Sequence, residues 1–205
     1  MGPAATVDFL AKVQACTPAH QDQDHIRVIA DINPRTAAPG VPGASAGGAL
    51  AEMAGGLRGA GAEVLAMPCN SAHAHADLIQ RASGLPLIDM IGLGAEAAGR
   101  TGAMRAGVLG ERGALKLYRE YLAARAMGLV SLPPERQEAF MVTLQRIKAG
   151  ERSADVTREM QAHAEALRQA GAEVLIAGCT EVPLVLSPHG AALGPPRAQA
   201  PRALG

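Results

Sequence analysis

With 205 residues, 48% of them hydrophobic and 19% charged, and a formal net charge of zero, the chain has the balance of an ordinary globular protein, one large domain or two small ones. That neutrality excludes an electrostatic platform for nucleic acid or an anionic membrane, and two Tyr, two Phe and no Trp leave little for base stacking. Three cysteines are too few for a disulfide scaffold, no apolar run approaches the ~20 residues of a membrane span, and the first residues lack signal-peptide order, so a reducing, cytoplasmic setting is expected.

In chain order, Met1-Gly2-Pro3 opens onto a helical pattern through Val7, Phe9, Leu10 and Val13, with no strand ahead of it. Ile26 to Ala30 reads as a strand, and a loop rich in Gly, Ala, Pro and Ser runs on to Gly48. A helix over about Ala49 to Leu57 leads to a short apolar run, Val64 to Met67, and then to Cys69. Further expected elements are a helix from near Ser71 to before Gly84, a strand at Leu87 to Met90 and a helix at Gly92 to Arg100. A strand at Ala106 to Leu109 starts a second unit, with Gly110-Glu111-Arg112-Gly113 turning into a helix through Leu115, Tyr118 and Leu122. A weak strand at Leu129 to Leu132 precedes Pro133-Pro134, a helix-opening signal. Helices over Glu135 to Ile147 and Ala154 to Ala170 lead to a last strand, Val174 to Ala177. From Ser187 the composition turns to Pro, Gly, Ala and Arg without periodicity, which predicts a disordered tail over 187–205.

One repeat organises these elements. Leu57 to Leu65 reads LRGAGAEVL and Leu167 to Leu175 reads LRQAGAEVL, and each run leads into a cysteine, Cys69 and Cys179, at the same spacing. The period is far longer than the ~20–50 residues of solenoid repeats, so it predicts two half-chain units that deliver equivalent thiols. Short apolar runs entered from one helix and left toward another read as buried parallel strands. Each cysteine then sits at the carboxyl end of a strand, the edge where open α/β sheets bind ligands. A following helix N-terminus is expected to stabilise a thiolate there. Two units packed face to face would aim both thiols at one cleft.

The residues also admit blander readings. Cys69 and Cys179 could be small buried hydrophobes, although Asn70-Ser71 and Thr180-Glu181 place polar groups directly after each thiol. No Cys-x-x-Cys occurs, and His73-Ala74-His75 is not by itself a zinc pattern, so no metal site is expected. Cys16 has no counterpart in the other half. His73, one helical turn past Cys69, is either a group that tunes the thiol or meets a carboxylate, or a partly buried helix histidine; His75 points elsewhere. Glu181 either positions a ligand amine or caps a helix. Lys148, beside Gly150, reads by default as a solvated cation at a helix end.

Met67-Pro68-Cys69-Asn70-Ser71-Ala72-His73 and Gly178-Cys179-Thr180-Glu181-Val182-Pro183-Leu184 resemble the paired signatures of the aspartate/glutamate racemase family, in its aspartate racemase-like branch. Gly2-Pro3-Ala4-Ala5-Thr6, Asp22-Gln23-Asp24-His25-Ile26 and Arg146-Ile147-Lys148-Ala149-Gly150 extend the resemblance in the right order over roughly residues 1–186. It implies an α/β fold of two open parallel-sheet domains related by a pseudo-twofold axis, here 1–100 with Cys69 and 101–186 with Cys179, and a homodimer. It also implies a cofactor-independent amino acid racemase acting on aspartate or glutamate, with no metal. Cys69 and Cys179 would be the two bases, with Thr6, Asn70, Ser71, Thr180 and Glu181 around the substrate and Lys148 neutralising a side-chain carboxylate.

The pattern departs from the family in four places. The strand that precedes the first helix in the family is missing, which is expected to reflect a shortened or misassigned start. The tail replaces a returning strand and helix. Arg35 stands in Pro34-Arg35-Thr36 where the family has proline-aspartate-arginine, and Gly110-Glu111-Arg112-Gly113-Ala114 lacks the family's threonines. Two other classes stay open: isomerisation or decarboxylation of dicarboxylic acids by a related two-cysteine fold, and an inactive relic or small-molecule binder.

Overall fold

The computed structural model describes residues 2–34 and 45–186. Arg35 and the expected tail, 187–205, lie outside the described residues. Seven helices and three strands are formed within them: α1 Pro3–Cys16, α2 Ala46–Gly59, α3 Ala76–Ser83, α4 Met90–Gly99, β1 Arg105–Val108, α5 Arg112–Ala123, β2 Gly128–Val130, α6 Pro134–Lys148, α7 Ala154–Gln169 and β3 Val174–Ile176. Local chemistry sets several boundaries. Ser45, Asp89 and Ser153 cap α2, α4 and α7 by accepting from the backbone N–H three residues on, and Pro134 opens α6 without wasting a donor.

The sheet has the order β2-β1-β3, all parallel, with Ala106 opposite both Leu129 and Val174. Helices cover it on both sides, as buried parallel strands require. One core joins α6 and α7 to the carboxyl side of the sheet through Phe140, Leu144, Ile147, Met160 and Leu167, and it takes in Cys179 and Val182. A second packs Ile91, Ala95 and Ala98 of α4 with Tyr118 and Leu122 of α5 onto β1 and β3. α4 lies before the expected boundary at residue 100, yet its apolar face is buried on the sheet of the second unit.

The first half is built more sparely. Its core holds Ala54, Leu65, Met67 and Ile79, with Leu50, Leu57 and Cys69 packed against it. The expected strands at Val64 to Met67 and Leu87 to Met90 are reduced to one parallel bridge between Leu65 and Leu87. Ile26 to Ala30 forms no strand at all, with Ile26 and Val28 exposed at 64% and 48%. A strand needs a neighbour for its backbone donors and acceptors, and among the described residues no segment pairs with this one. The architecture is α/β with parallel pairing in both halves, and the ladder is complete only in the second. No helix among the described residues is long and apolar enough to cross a membrane.

Candidate active site

The loops that leave β1 and β3 at their carboxyl ends touch one another. A Cβ on Gly110 would sit 2.9 Å from Gly178 O, and one on Gly178 would sit 2.6 Å from Val108 Cγ1, so both positions need glycine for this approach. Gln137 of α6 ties the first loop down by donating from Nε2 to Gly110 O at 3.0 Å. The loop after the Leu65 bridge is carried against the same place by α5, which packs on the short turn of 3-10 helix Ser71–His75. The three loops enclose a cavity of about 160 Å³ lined by Cys69, Asn70, Ser71, Lys148, Cys179, Thr180 and Glu181, together with Gly2, Glu111, Ala114 and Gly178. Seven of the residues singled out in the sequence therefore meet at one cavity.

The two thiols have unlike surroundings. Cys179 is buried, at 8% exposure, and its Sγ lies 2.9 Å from Oε2 of Glu181, itself 3% exposed. Burial pushes the Cys179 thiol well above its ordinary range, and the charge and hydrogen bond of Glu181 push it further. The helix dipole expected to favour a thiolate is weak here, because Cys179 is followed by a single 3-10 turn, Val182–Leu184, and not by an α-helix. Cys69 is half-buried, with Ser71 Oγ 3.8 Å from its sulfur, and α3 begins only at Ala76. Glu181 caps nothing through its side chain; its carboxylate accepts from Cys179 and, at 3.4 Å, from Thr180 Oγ1.

Lys148 is not a free surface cation. It pairs with Glu111 at the cavity, and its side chain is 32% exposed. Burial alone would lower its pKa, but the hydrogen bond and charge of Glu111, reinforced by Cys179 and Glu181, leave it raised. The end of α6 that carries Lys148 is fastened by Arg146, which donates to both Glu151 and Glu159 at 2.7 Å. Arg146, followed by Ser153, holds the Glu151 carboxyl down at about 2.

Asn70 is 2% exposed; its Oδ1 accepts from the Tyr118 hydroxyl at 2.9 Å, while Nδ2 is buried without a partner. His73 does not reach the cavity. Its Nδ1 lies 2.8 Å from Cys69 O, and its Nε2 lies 3.3 Å from both Met90 N and Ile88 O, so the ring braces the thiol's backbone against the start of α4. Thr6 is also outside the lining: its hydroxyl bonds back to Gly2 O at 3.3 Å, and it is the backbone at Gly2 that meets the cavity. Gly2, Glu111 and Ala114 were missed in the sequence; for Glu111, the loop position after β1, on the same sheet edge as Cys179, is the signal that was there to use. Among the described residues no group of three or more His, Cys, Asp or Glu could hold a metal ion.

The arrangement sets a buried thiol, a second sulfur, an unpaired amide donor and the Lys148–Glu111 pair around one cavity. The chain as a whole is similar to known proteins. The sequence model of the Asp/Glu/hydantoin racemase family matches residues 1–201. An aspartate racemase of Picrophilus torridus superposes with a TM-score of 0.76 at 22% identity, covering 92% of this chain and 81% of that one. A candidate Asp/Glu racemase of Yersinia pestis gives a TM-score of 0.61 at 27% identity over 72% of this chain, which spans 66% of its length. A Francisella tularensis glutamate racemase in complex with D-glutamate gives 0.54 at 20% identity, covering 66% of this chain and 51% of that one. On the match across nearly its whole length, the chain belongs to the Asp/Glu/hydantoin racemase family.

Proposed function

We propose that the chain is an amino acid racemase that exchanges the α-proton of aspartate or glutamate between two thiols, with no cofactor. The observation that carries this reading is the convergence of Cys69 and Cys179, one from each copy of the repeat, on a single cavity of about 160 Å³. That volume is well below the ~300–1,000 Å³ of sites for drug-sized ligands and suits a small amino acid.

The resting ionisation follows from the surroundings. Burial and Glu181 keep Cys179 in the thiol form, so that side of the cavity offers an acid, and the reading assigns the base to the Cys69 side. The Cys69 sulfur takes the proton from Cα; the C–H bond pair remains on carbon and spreads into the substrate carboxylate. Cys179 then gives its proton to the opposite face and keeps the S–H bond pair as a thiolate. The product is the other enantiomer, and the two sulfurs have exchanged states. Developing negative charge calls for donors already in place, a role for Asn70, Ser71 and Thr180. Lys148 would neutralise the side-chain carboxylate, and to do so it must share its charge with Glu111.

Substitution of either cysteine by alanine is expected to lower racemisation by about 10²–10⁴-fold, the range of a lost general acid or base. In D2O the unaltered protein should place deuterium at Cα of the product, and each single variant should retain exchange on one face at most. Racemisation by a Cys69→Ala/Cys179→Ala double variant would exclude the mechanism.

The unlike thiols favour one second reading, protonation of a dicarboxylic acid by Cys179 alone during isomerisation or decarboxylation. Product analysis with maleate and arylmalonates beside aspartate separates the two. A homodimer, implied by the family resemblance, is tested by sedimentation equilibrium.

A further inference from the structure

We infer that Tyr118 is a positioning residue: its hydroxyl fixes the Asn70 side chain so that the Nδ2 donor is presented to a carboxylate oxygen of the bound ligand. The inference rests on the reading of the cavity as an amino acid site. It starts from an imbalance. Asn70 lines the cavity, and of its two amide atoms one is satisfied and the other is buried without a partner. A buried donor left unpaired costs about 1–3 kcal/mol, a cost recovered when a ligand supplies the acceptor.

The orientation of the amide follows from hydrogen-bond chemistry. Tyr118 is 2% exposed, and Asn70 Oδ1 is the acceptor its hydroxyl reaches, at 2.9 Å. Were the amide reversed, Nδ2 would donate to the phenol oxygen, and the phenol hydrogen would be left buried with no acceptor. The hydroxyl is itself held in place. It stands beside Gly94 of α4, where an added Cβ would lie only 2.8 Å from the phenol oxygen, so glycine leaves the slot that the hydroxyl occupies. Burial, with Asp89 adding to it, raises the phenol to about 12, and it stays a donor at any pH of interest. Tyr118 therefore links three pieces that are distant in sequence, α4, α5 and the Cys69 loop, and sets the direction of one donor.

The sequence contains two asparagines, Asn33 and Asn70, so selective ¹⁵N-asparagine labelling gives two side-chain NH2 pairs. Asn70→Asp, which keeps the acceptor for Tyr118 and deletes the donor, assigns them. Titration of the unaltered protein with L-aspartate and with D-glutamate is expected to shift the Asn70 pair. In Tyr118→Phe the pair should broaden as the amide gains freedom, and Kd and KM should rise about tenfold, the scale of one hydrogen bond to a charged group. kcat should fall as well, because the same donor meets the charge that builds on the carboxylate in the transition state. Gly94→Ala should act in the same direction without touching the tyrosine. In a double-mutant cycle, Tyr118→Phe should add nothing to the Kd of Asn70→Asp.

A purely structural tyrosine would lower Tm and leave Kd unchanged in the folded variant, and that result overturns the inference. So does an Asn70 pair that neither ligand shifts. Failure of the racemase reading is distinct: the ligand shifts the Asn70 pair, but no deuterium enters at Cα.

Discussion

The runs Leu57–Leu65 and Leu167–Leu175 differ at one position, and up to a point they fold alike. Both end a helix in the same way. Gly61 and Gly171 adopt φ of +95° and +91°. Gly61 N bonds to Arg58 O as Gly171 N bonds to Arg168 O, and Ala62 N bonds to Leu57 O as Ala172 N bonds to Leu167 O. This is the glycine-terminated helix exit, with both of its backbone bonds, formed twice. Two residues later the copies part. Val174 is buried at 6% in a strand with β1 beside it, whereas Val64 is 54% exposed and only Leu65 pairs. Local sequence dictates the turn, because a positive φ and two nearby carbonyls are all it needs. A strand is a property of two segments, and identical residues cannot make one alone.

The thiols inherit this difference. Cys179 is seated in a core that includes α6 and α7, while Cys69 is packed at the margin of a cluster of four buried residues. The sharpest way to break the comparison is to cut the matched leucines. Leu167, at 0% exposure, sits in the large core, and Leu167→Ala is expected to cost about 2–5 kcal/mol. Leu57 is only partly buried, and Leu57→Ala should cost about 1 kcal/mol, since less area leaves water and the surface can close over the gap. Urea unfolding of both variants measures this. Equal losses would mean that the halves are equally well packed and that the exposure of Val64 is no guide to stability.

The next contrast is electrostatic. Glu181, two residues past Cys179, has no acidic counterpart beside Cys69, where Ser71 occupies the equivalent place. Burial is the larger cause of the raised Cys179 thiol, and the carboxylate adds to it. Glu181→Gln removes the charge and keeps an acceptor, so Cys179 should ionise at lower pH than before, though still above an ordinary thiol. Absorbance of the thiolate near 240 nm, followed against pH in a Cys69→Ser/Cys16→Ser background, reads this directly. Racemisation by Glu181→Gln in the otherwise unaltered chain should fall by roughly tenfold, because the Cys179 proton is no longer held ready, a fraction of the ~10²–10⁴ of a whole acid. A titration curve that does not move would assign the entire effect to burial.

What the sequence made legible divides along the same line. The helices of the second half were placed within a residue or so, α6 at Pro134–Lys148 against an expected Glu135 to Ile147, because apolar spacing, Pro134 and the glycine exits are local signals. The pair of cysteines was legible through the repeat. Glu111 and Tyr118 were not, since their importance lies in partners 37 and 48 residues away, Lys148 and Asn70. Thr6 shows what a motif match does not convey, since its hydroxyl bonds back to Gly2 O and the cavity is met by Gly2 instead. The expectation of a thiolate at Cys179 weighed a helix dipole that a single 3-10 turn does not supply, against a burial that the apolar run before it already announced.

The smallest predicted difference tests the part the two copies share. An L-residue at a left-handed position costs roughly 1–2 kcal/mol, so Gly61→Ala and Gly171→Ala should each destabilise by about that amount. The positions differ in what surrounds them: a Cβ on Gly61 meets nothing, and one on Gly171 meets the Arg105 guanidinium, the far end of a flexible chain. Arg105 Nη2 donates to Ala170 O at 2.8 Å, and moving it aside should add only a few tenths of a kcal/mol at that exposed site. Near-equal losses of Tm-derived stability would establish that the exit turn is set by residues within the repeat itself. A Gly171→Ala loss several times larger would mean instead that the turn is held by β3 and its sheet, and the resemblance between the two copies would then be a consequence of the fold around the second.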